Sequence, residues 1–436
     1  IDCIVVYLMD WTVGKMDAFI IKGKSSLSGE VDIHGAKNSA LPILAATLLS
    51  GGVCVLENCP ELSDVENAIE ILKSLGCKVR READRVIVDS ESVSTCRVEP
   101  ELMHKIRSSI VFMGALIGRT GCAHLSFPGG CELGPRPIDI HINSLKRLGV
   151  VIDEKHGHFS CTTPNGVNGV TLNLPFPSVG ATENIIMAAV TSQGTTKIHN
   201  AAREPEIVDL ANFLNRCGAN IYGAGEGVIT IDGVHQLHGC THRIIPDRIE
   251  AATYMAAAAV TGSTITLNNV ISDHIEPVYY VFREAGCSIR TYKNKLLIQS
   301  PERLKRVKLI RTLVYPGFPT DAQAPVMAML TVANGTSMFI ETIFQNRYKH
   351  VDELIKMGAN IKTEERVAVV EGVKSLYGAK VAATDLRSGA ALVIAGLAAK
   401  GETTVTNVYH IDRGYEQLTE NLRKLGADIY RTTIGE

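Results

Sequence analysis

The sequence predicts an α/β protein of two compact domains assembled from six repeats, and three observations carry that expectation. At 436 residues the chain is longer than one core ordinarily serves, so two domains fit its length. An amphipathic helix end, a stop glycine and a β-branched strand start recur at "EILKSLGCKV", "SLKRLGVVI", "FLNRCGANI", "VFREAGCSI", "ELIKMGANI" and "NLRKLGADI". Their glycines, Gly76, Gly149, Gly218, Gly286, Gly358 and Gly426, lie about 70 residues apart. Upstream of each stands an apolar, small-residue segment that closes on glycine and passes into a short strand: "ALPILAATLLSGGVCVL", "SSIVFMGALIGRTGCAHLSF", "NIIMAAVTSQGTTKIH", "AATYMAAAAVTGSTITL", "APVMAMLTVANGTSMFI" and "ALVIAGLAAKGETTVT".

Each unit therefore reads helix, strand, helix, then a strand pair such as "CKVRREADRVIVDS" joined by a polar turn. The first helix of a unit is apolar nearly all round and belongs inside; the second carries charge on one face and belongs outside. Buried Ala-rich helices suit a three-fold cluster wrapped by sheets better than a stacked solenoid, so six units make two groups of three. The opening "IDCIVVYLMDWTVGK" precedes the repeat, lacks the basic start and cleavage site of a signal peptide, and is followed by Met16 as a natural initiator. Residues 1–15 are expected to be an extension outside the fold.

Composition excludes several classes. Lys and Arg total 44 against 46 Asp and Glu, without the basic excess of a nucleic-acid or membrane-surface binder. The apolar runs are too short to span a bilayer. The 11 cysteines are odd in number and never form a Cys-x-x-Cys pair, so neither a disulfide framework nor a zinc site is expected, and a reducing cytoplasm fits. The two histidines of "KHGHF" have no nearby carboxylate or thiol cluster and read as a turn. No Walker or Rossmann glycine spacing occurs, and no cofactor is implied.

Two features suggest chemistry. Cations stand in short polar turns: Lys37 in "GAKN", Arg107 in "KIRSS", Arg136 in "GPRP", Arg347 in "QNRY", Arg387 in "TDLRS" and Arg413 in "IDRGYE". Arginine suits bidentate recognition of carboxylate or phosphate, while lysine acts as a point charge. In "PGGCELGPRPIDIH" a thiol, Cys131, sits between glycines and prolines that oppose burial in regular structure. A free thiol ionises near about 8.5 and neighbouring cations lower that value, which makes Cys131 a reactive candidate. Asp321 in "FPTDAQA" immediately precedes an apolar helix and reads as a helix cap, a position that also fixes its carboxylate at a helix start.

These segments, together with "GAKNSALPILAA", "PSVGATENI", "AAREPEIVDLANFL", "PDRIE", "ATDLRSGA" and "YHIDRGYE", resemble the enolpyruvyl transferase family, and within it the UDP-N-acetylglucosamine 1-carboxyvinyltransferases. The likeness runs in unbroken order from about Met16 to the C-terminus. It implies two inside-out α/β barrel domains, residues 37–245 carrying the Cys131 lid and residues 16–36 plus 246–436 carrying Asp321 and Arg413, with substrates in the cleft between. It also implies transfer of the enolpyruvyl group of phosphoenolpyruvate to the 3-hydroxyl of UDP-N-acetylglucosamine, the first committed step of peptidoglycan synthesis. By motif, Lys37, Arg136 and Arg413 would hold phosphoenolpyruvate. Asn38, Arg107, Pro137, Ile138, Asp139, Ile140, Ser178, Val179, Asp321 and Ile343 would contact the UDP-sugar, with Arg347 and Arg387 among the substrate-binding cations. Asp321 would be the base. Cys131 would be the proton donor or a product-release residue on a lid, alkylated by fosfomycin in the family. Phe176 stands where certain members carry lysine and implies an aromatic or backbone contact to the nucleotide. Enolpyruvylshikimate phosphate synthase on the same fold and an idle UDP-sugar-binding regulator are the competing readings.

Overall fold

The structure, a computed structural model, describes residues 15–24, 26–127, 138–155 and 157–435. The first unit runs as expected through helix Lys37–Ser50, strand Val53–Glu57, helix Ser63–Ser74 and the strands Lys78–Glu82 and Arg85–Asp89. The strand pair turns at Ala83, held at φ 52°. The same order follows from helices Phe112–Thr120, Val179–Ala189, Arg248–Val260 and Gln323–Leu330, while the unit begun by Leu386–Ala398 ends in one strand, Asp428–Gly435, that pairs with Lys15–Lys22. The two helix types separate as their sequences require. All eight residues of Gln323–Leu330 are buried, whereas Ser63–Ser74 turns Val65, Ala68, Ile69, Ile71 and Leu72 inward and leaves its charged face outside.

Lys37–Ser50, Phe112–Thr120 and Val179–Ala189 pack against one another, as do Arg248–Val260, Gln323–Leu330 and Leu386–Ala398. Small residues allow close approach: a Cβ at Gly114 would stand 2.3 Å from the Asn184 carbonyl oxygen on the neighbouring helix. Among the described residues the buried apolar side chains form two clusters. One runs from Ala40 to Ile244; the other joins Phe19–Ile33 to Ala251–Ile429.

The chain crosses between the clusters twice, and the two crossings lie side by side. Gly35 bridges Pro246, the Ala36 amide donates to the Ile245 carbonyl at 2.7 Å, and the Asp247 amide donates to the His34 carbonyl at 2.8 Å. Only glycine fits there, because a Cβ on Gly35 would fall 1.8 Å from the Asn58 carbonyl oxygen.

Two local expectations are corrected, and short edge strands are added. Strand Lys15–Lys22 lies between Glu402–Thr406 and Asp428–Gly435, with Lys15 opposite Gly435, so Lys15, read as part of an extension, belongs to a sheet. Short parallel strands such as Thr171–Asn173 and Thr241–Arg243 extend five of the sheets. Four of these strands have three residues, too few to show a period, and the fifth is Ser28–Asp32. Cys96 and Cys122 are joined by a disulfide although no such pair was expected. Their spacing is uninformative because a sheet contact aligns them: Arg97 bridges His124, and the His124 amide donates to the Cys96 carbonyl at 2.8 Å.

Candidate functional site

Lys37, Asn38, Ser178, Val179 and Arg387 lie at the beginnings of buried helices, where unpaired backbone N–H groups and the helix dipole favour anions. Lys37 and Asn38 open helix Lys37–Ser50, directly after the Gly35 crossing. Ser178 caps Val179–Ala189, its hydroxyl accepting from the Ala181 amide at 3.4 Å. Asp247 caps Arg248–Val260 by accepting from the amides of Ile249 and Glu250, and its second oxygen accepts from the Lys37 amide at 3.3 Å. Asp385 caps Leu386–Ala398 and thereby fixes Arg387, whose amide it accepts at 2.9 Å.

Asp321 lies in the short 3-10 turn Thr320–Ala322 rather than at a cap. Helix Gln323–Leu330 is preceded by Ala322 and has no side-chain cap, which removes the capping alternative. The Asp321 carboxylate is instead gripped from two sides. Oδ1 accepts from Arg347 Nη2 at 2.9 Å, and Oδ2 accepts from Arg387 Nη2 at 3.0 Å and Nε at 3.3 Å. Both guanidiniums are buried, while the aspartate side chain keeps 27% of its surface open. Burial works to raise its pKa, but Arg387, Arg347 and Lys37 outweigh it and hold the carboxyl well below the ordinary carboxylate range. It is thus an ionised, partly open acceptor beside concentrated positive charge. Arg387 also lies 5.3 Å from the Tyr415 ring centroid, and the Tyr415 hydroxyl pairs with Thr253 Oγ1 at 2.9 Å.

A second carboxylate was missed by sequence reasoning. Asp64, near the start of helix Ser63–Ser74, is 2% exposed. Its Oδ1 accepts from Arg413 Nε at 2.9 Å and its Oδ2 from Lys37 Nζ at 3.2 Å. In "ELSDVENAIE" it looks like an ordinary acidic first-turn residue, and the local pattern holds no signal of its partners. Tyr415 was missed for the same reason.

Ile138 and Ile140 flank Asp139 at the start of helix Asp139–Arg147, both half-buried against the first cluster while Asp139 is exposed. Ile343 is half-buried and donates its amide to Glu341 Oε1 at 2.8 Å; Phe176 is 41% exposed two residues before Ser178; Arg107 opens the turn Arg107–Val111. Val179 is the first residue of its helix and half-buried. Cys131, Arg136 and Pro137 lie outside the described residues. No described helix is long and apolar enough to cross a membrane.

Comparison with known proteins places this geometry in context. Residues 21–422 match the family model described as EPSP synthase (3-phosphoshikimate 1-carboxyvinyltransferase). The chain is 51% identical over 416 residues, 95% of its length and 100% of the relative, to UDP-N-acetylglucosamine 1-carboxyvinyltransferase 2 of Caldanaerobacter subterraneus subsp. tengcongensis. It is 48% identical over 422 residues, 96% of its length and 100% of the relative, to UDP-N-acetylglucosamine 1-carboxyvinyltransferase of Finegoldia magna. Among solved structures it is similar to the enolpyruvyl transferase NikO from Streptomyces tendae, with a TM-score of 0.87 at 25% identity, covering 97% of this chain and 100% of that one. EPSP synthase from Acinetobacter baumannii shares the fold, with a TM-score of 0.73 at 17% identity over 96% of this chain and 100% of that one.

Proposed function

The chain belongs to the EPSP synthase family of enolpyruvyl transferases, and on that premise we propose that it transfers the enolpyruvyl group of phosphoenolpyruvate to the 3-hydroxyl of UDP-N-acetylglucosamine, releasing phosphate. The names of relatives about half identical over nearly the full length favour this acceptor over shikimate 3-phosphate. In a cell it serves the first committed step of peptidoglycan synthesis, as a cytoplasmic enzyme.

The observation that carries the mechanism is a clamped carboxylate, Asp321, under the charge of Lys37, which in turn shares Asp64 with Arg413. The reaction adds the sugar oxygen to C2 of phosphoenolpyruvate while a proton goes to the methylene carbon. Loss of phosphate and of a proton from that same carbon then restores the double bond. Lys37, Arg413 and Arg136 would hold the phosphate and carboxylate of phosphoenolpyruvate, supplying fixed positive charge where the phosphate leaves. Asp321 accepts the proton of the 3-hydroxyl. Two guanidiniums make it a weak base, so transfer accompanies formation of the C–O bond, when the hydroxyl oxygen becomes acidic.

Cys131 would donate the proton to the methylene carbon from its glycine-rich loop. Asn38, Arg107, Pro137, Ile138, Asp139, Ile140, Phe176, Ser178, Val179 and Ile343 would contact the UDP-sugar, with Arg347 and Arg387 orienting Asp321. The helix start capped by Ser178 supports an anion contact to the diphosphate. The two apolar clusters and paired crossings support domains of residues 37–245 and 16–36 plus 246–436, with the substrates in the cleft between. Phosphate release from phosphoenolpyruvate tests the reading. It should require UDP-N-acetylglucosamine and should fail with shikimate 3-phosphate; turnover with the latter would reverse the acceptor, and no turnover with either would favour the regulatory reading.

A further inference from the structure

Asp64 does not behave like a helix-start acid. Glu66, in the same first turn, takes the usual course: its side chain is about half exposed and pairs with Arg81. Asp64 is buried, and its carboxylate accepts hydrogen bonds from two side chains far away in sequence. Lys37 leads the helix whose apolar residues belong to the Ala40–Ile244 cluster, and Val65 beside Asp64 belongs there too. Arg413 ends the turn Val408–Arg413, whose Val408 and Ile411 belong to the other cluster. One carboxylate thus holds two cations anchored in different cores, with contacts of 3.2 Å to Lys37 Nζ and of 2.9 Å and 3.5 Å to Arg413 Nε and Nη2. A second contact joins the same two segments, since the Glu61 amide donates to Glu416 Oε2 at 2.9 Å.

Two cations converging on one ligand repel each other before that ligand arrives, and at low dielectric the repulsion is large. A buried carboxylate between them offsets it and fixes both in direction. Removing one member of such a buried group leaves the others uncompensated. We propose that Asp64 is a positioning residue of the phosphoenolpyruvate site: it aims Lys37 and Arg413 at the same anion and makes the docking of the 408–417 segment and the assembly of that anion site a single event. This rests on the reading above that Lys37 and Arg413 hold phosphoenolpyruvate. Asp64 itself does not touch the substrate, because its negative charge would repel a phosphate or carboxylate.

The test compares Asp64→Asn, which preserves shape but removes the charge, with the parent and with Asp64→Glu. In steady-state kinetics Asp64→Asn should raise the KM for phosphoenolpyruvate at least 10-fold and lower kcat. Calorimetry should find the Kd for UDP-N-acetylglucosamine within 2-fold of the parent. Asp64→Glu should recover part of the loss because it restores the charge. A KM for phosphoenolpyruvate within 2-fold of the parent overturns the proposal. So does equal weakening of both ligands, which would mark a merely structural residue.

Hydrogen exchange on the ligand-free proteins reads the docking without any turnover. Faster exchange in Asp64→Asn is expected at residues 59–66 and 408–417 and nowhere else, and unchanged exchange there overturns the docking role. If the parent released no phosphate from phosphoenolpyruvate, the proposed reaction would fail on its own account, while the exchange comparison would still decide whether Asp64 joins the two segments.

Discussion

Asp321 receives three hydrogen bonds from two buried guanidiniums, so its charge is fixed in place before any substrate arrives. Asp321→Asn should keep UDP-sugar binding and lower turnover by about 100- to 10,000-fold, the usual range for losing a positioned acid or base; near-normal kcat would remove Asp321 from that role. The depressed pKa has a pH consequence. A carboxyl held below its ordinary value of 3.8 stays ionised in the fold through the whole range where free carboxylates titrate. Its contribution is present above 3.8 and lost only as pH falls through the lower folded value, so a kcat profile should show no break between pH 4 and 6 that Asp321→Asn abolishes. For the proposed proton donor, Cys131→Asp carries a proton and should keep substantial turnover while becoming insensitive to fosfomycin. Cys131→Ser, with a poorly acidic hydroxyl, should lose most turnover, and equal activity of the Ser variant and the parent would discard the thiol as proton donor.

At the scale of elements, the paired crossings at Gly35 and Pro246 carry an ion pair beside them. His34 Nδ1 lies 2.9 Å from Glu250 Oε1, and the His34 amide donates to Glu250 Oε2 at 2.9 Å. Burial would lower the imidazole pKa, but the hydrogen bond and charge of Glu250, with Glu416 and Asp32 beyond, push it from 6.5 up to about 9. Burial raises the Glu250 carboxyl in turn. A raised histidine value stabilises the fold fully below 6.5 and loses that contribution as pH rises through about 9. The melting temperature should therefore fall between about pH 6.5 and 9, and His34→Gln should flatten that fall. An identical slope in the variant would show that the pair does not hold the crossing.

For the whole molecule, cations anchored in two cores must meet on one ligand and exclude water, so UDP-N-acetylglucosamine should close the two domains. Small-angle scattering should record a smaller radius of gyration on adding the sugar nucleotide, and an unchanged radius would argue for a cleft closed beforehand. Truncation tests the limits of the fold. Removing residues 1–14 should leave activity and melting temperature unchanged. Removing residues 1–22 should prevent stable folding, because strand Lys15–Lys22 is paired on both sides.

The sequence by itself determined the repeat, the two helix types and the order of elements, because each is a local matter. The 3.6-residue period of Ser63–Ser74, the apolar run of Arg248–Val260 and the glycine that stops each outer helix are written within a dozen or so residues. It also marked Lys37, Arg347, Arg387 and Arg413 as cations in polar turns, and the resemblance supplied their proposed ligands. Only the tertiary structure decided which charges meet. Arg387 reaches Asp321 across 66 positions and Arg413 reaches Asp64 across 349, and such partnerships leave no periodic trace in the chain. The Cys96–Cys122 bond and the three-residue edge strands were hidden for the same reason, since both follow from which segments lie side by side in the sheets. Local pattern sets where an element starts and which face it buries; the packing of two separate cores decides which of its exposed ends become one site.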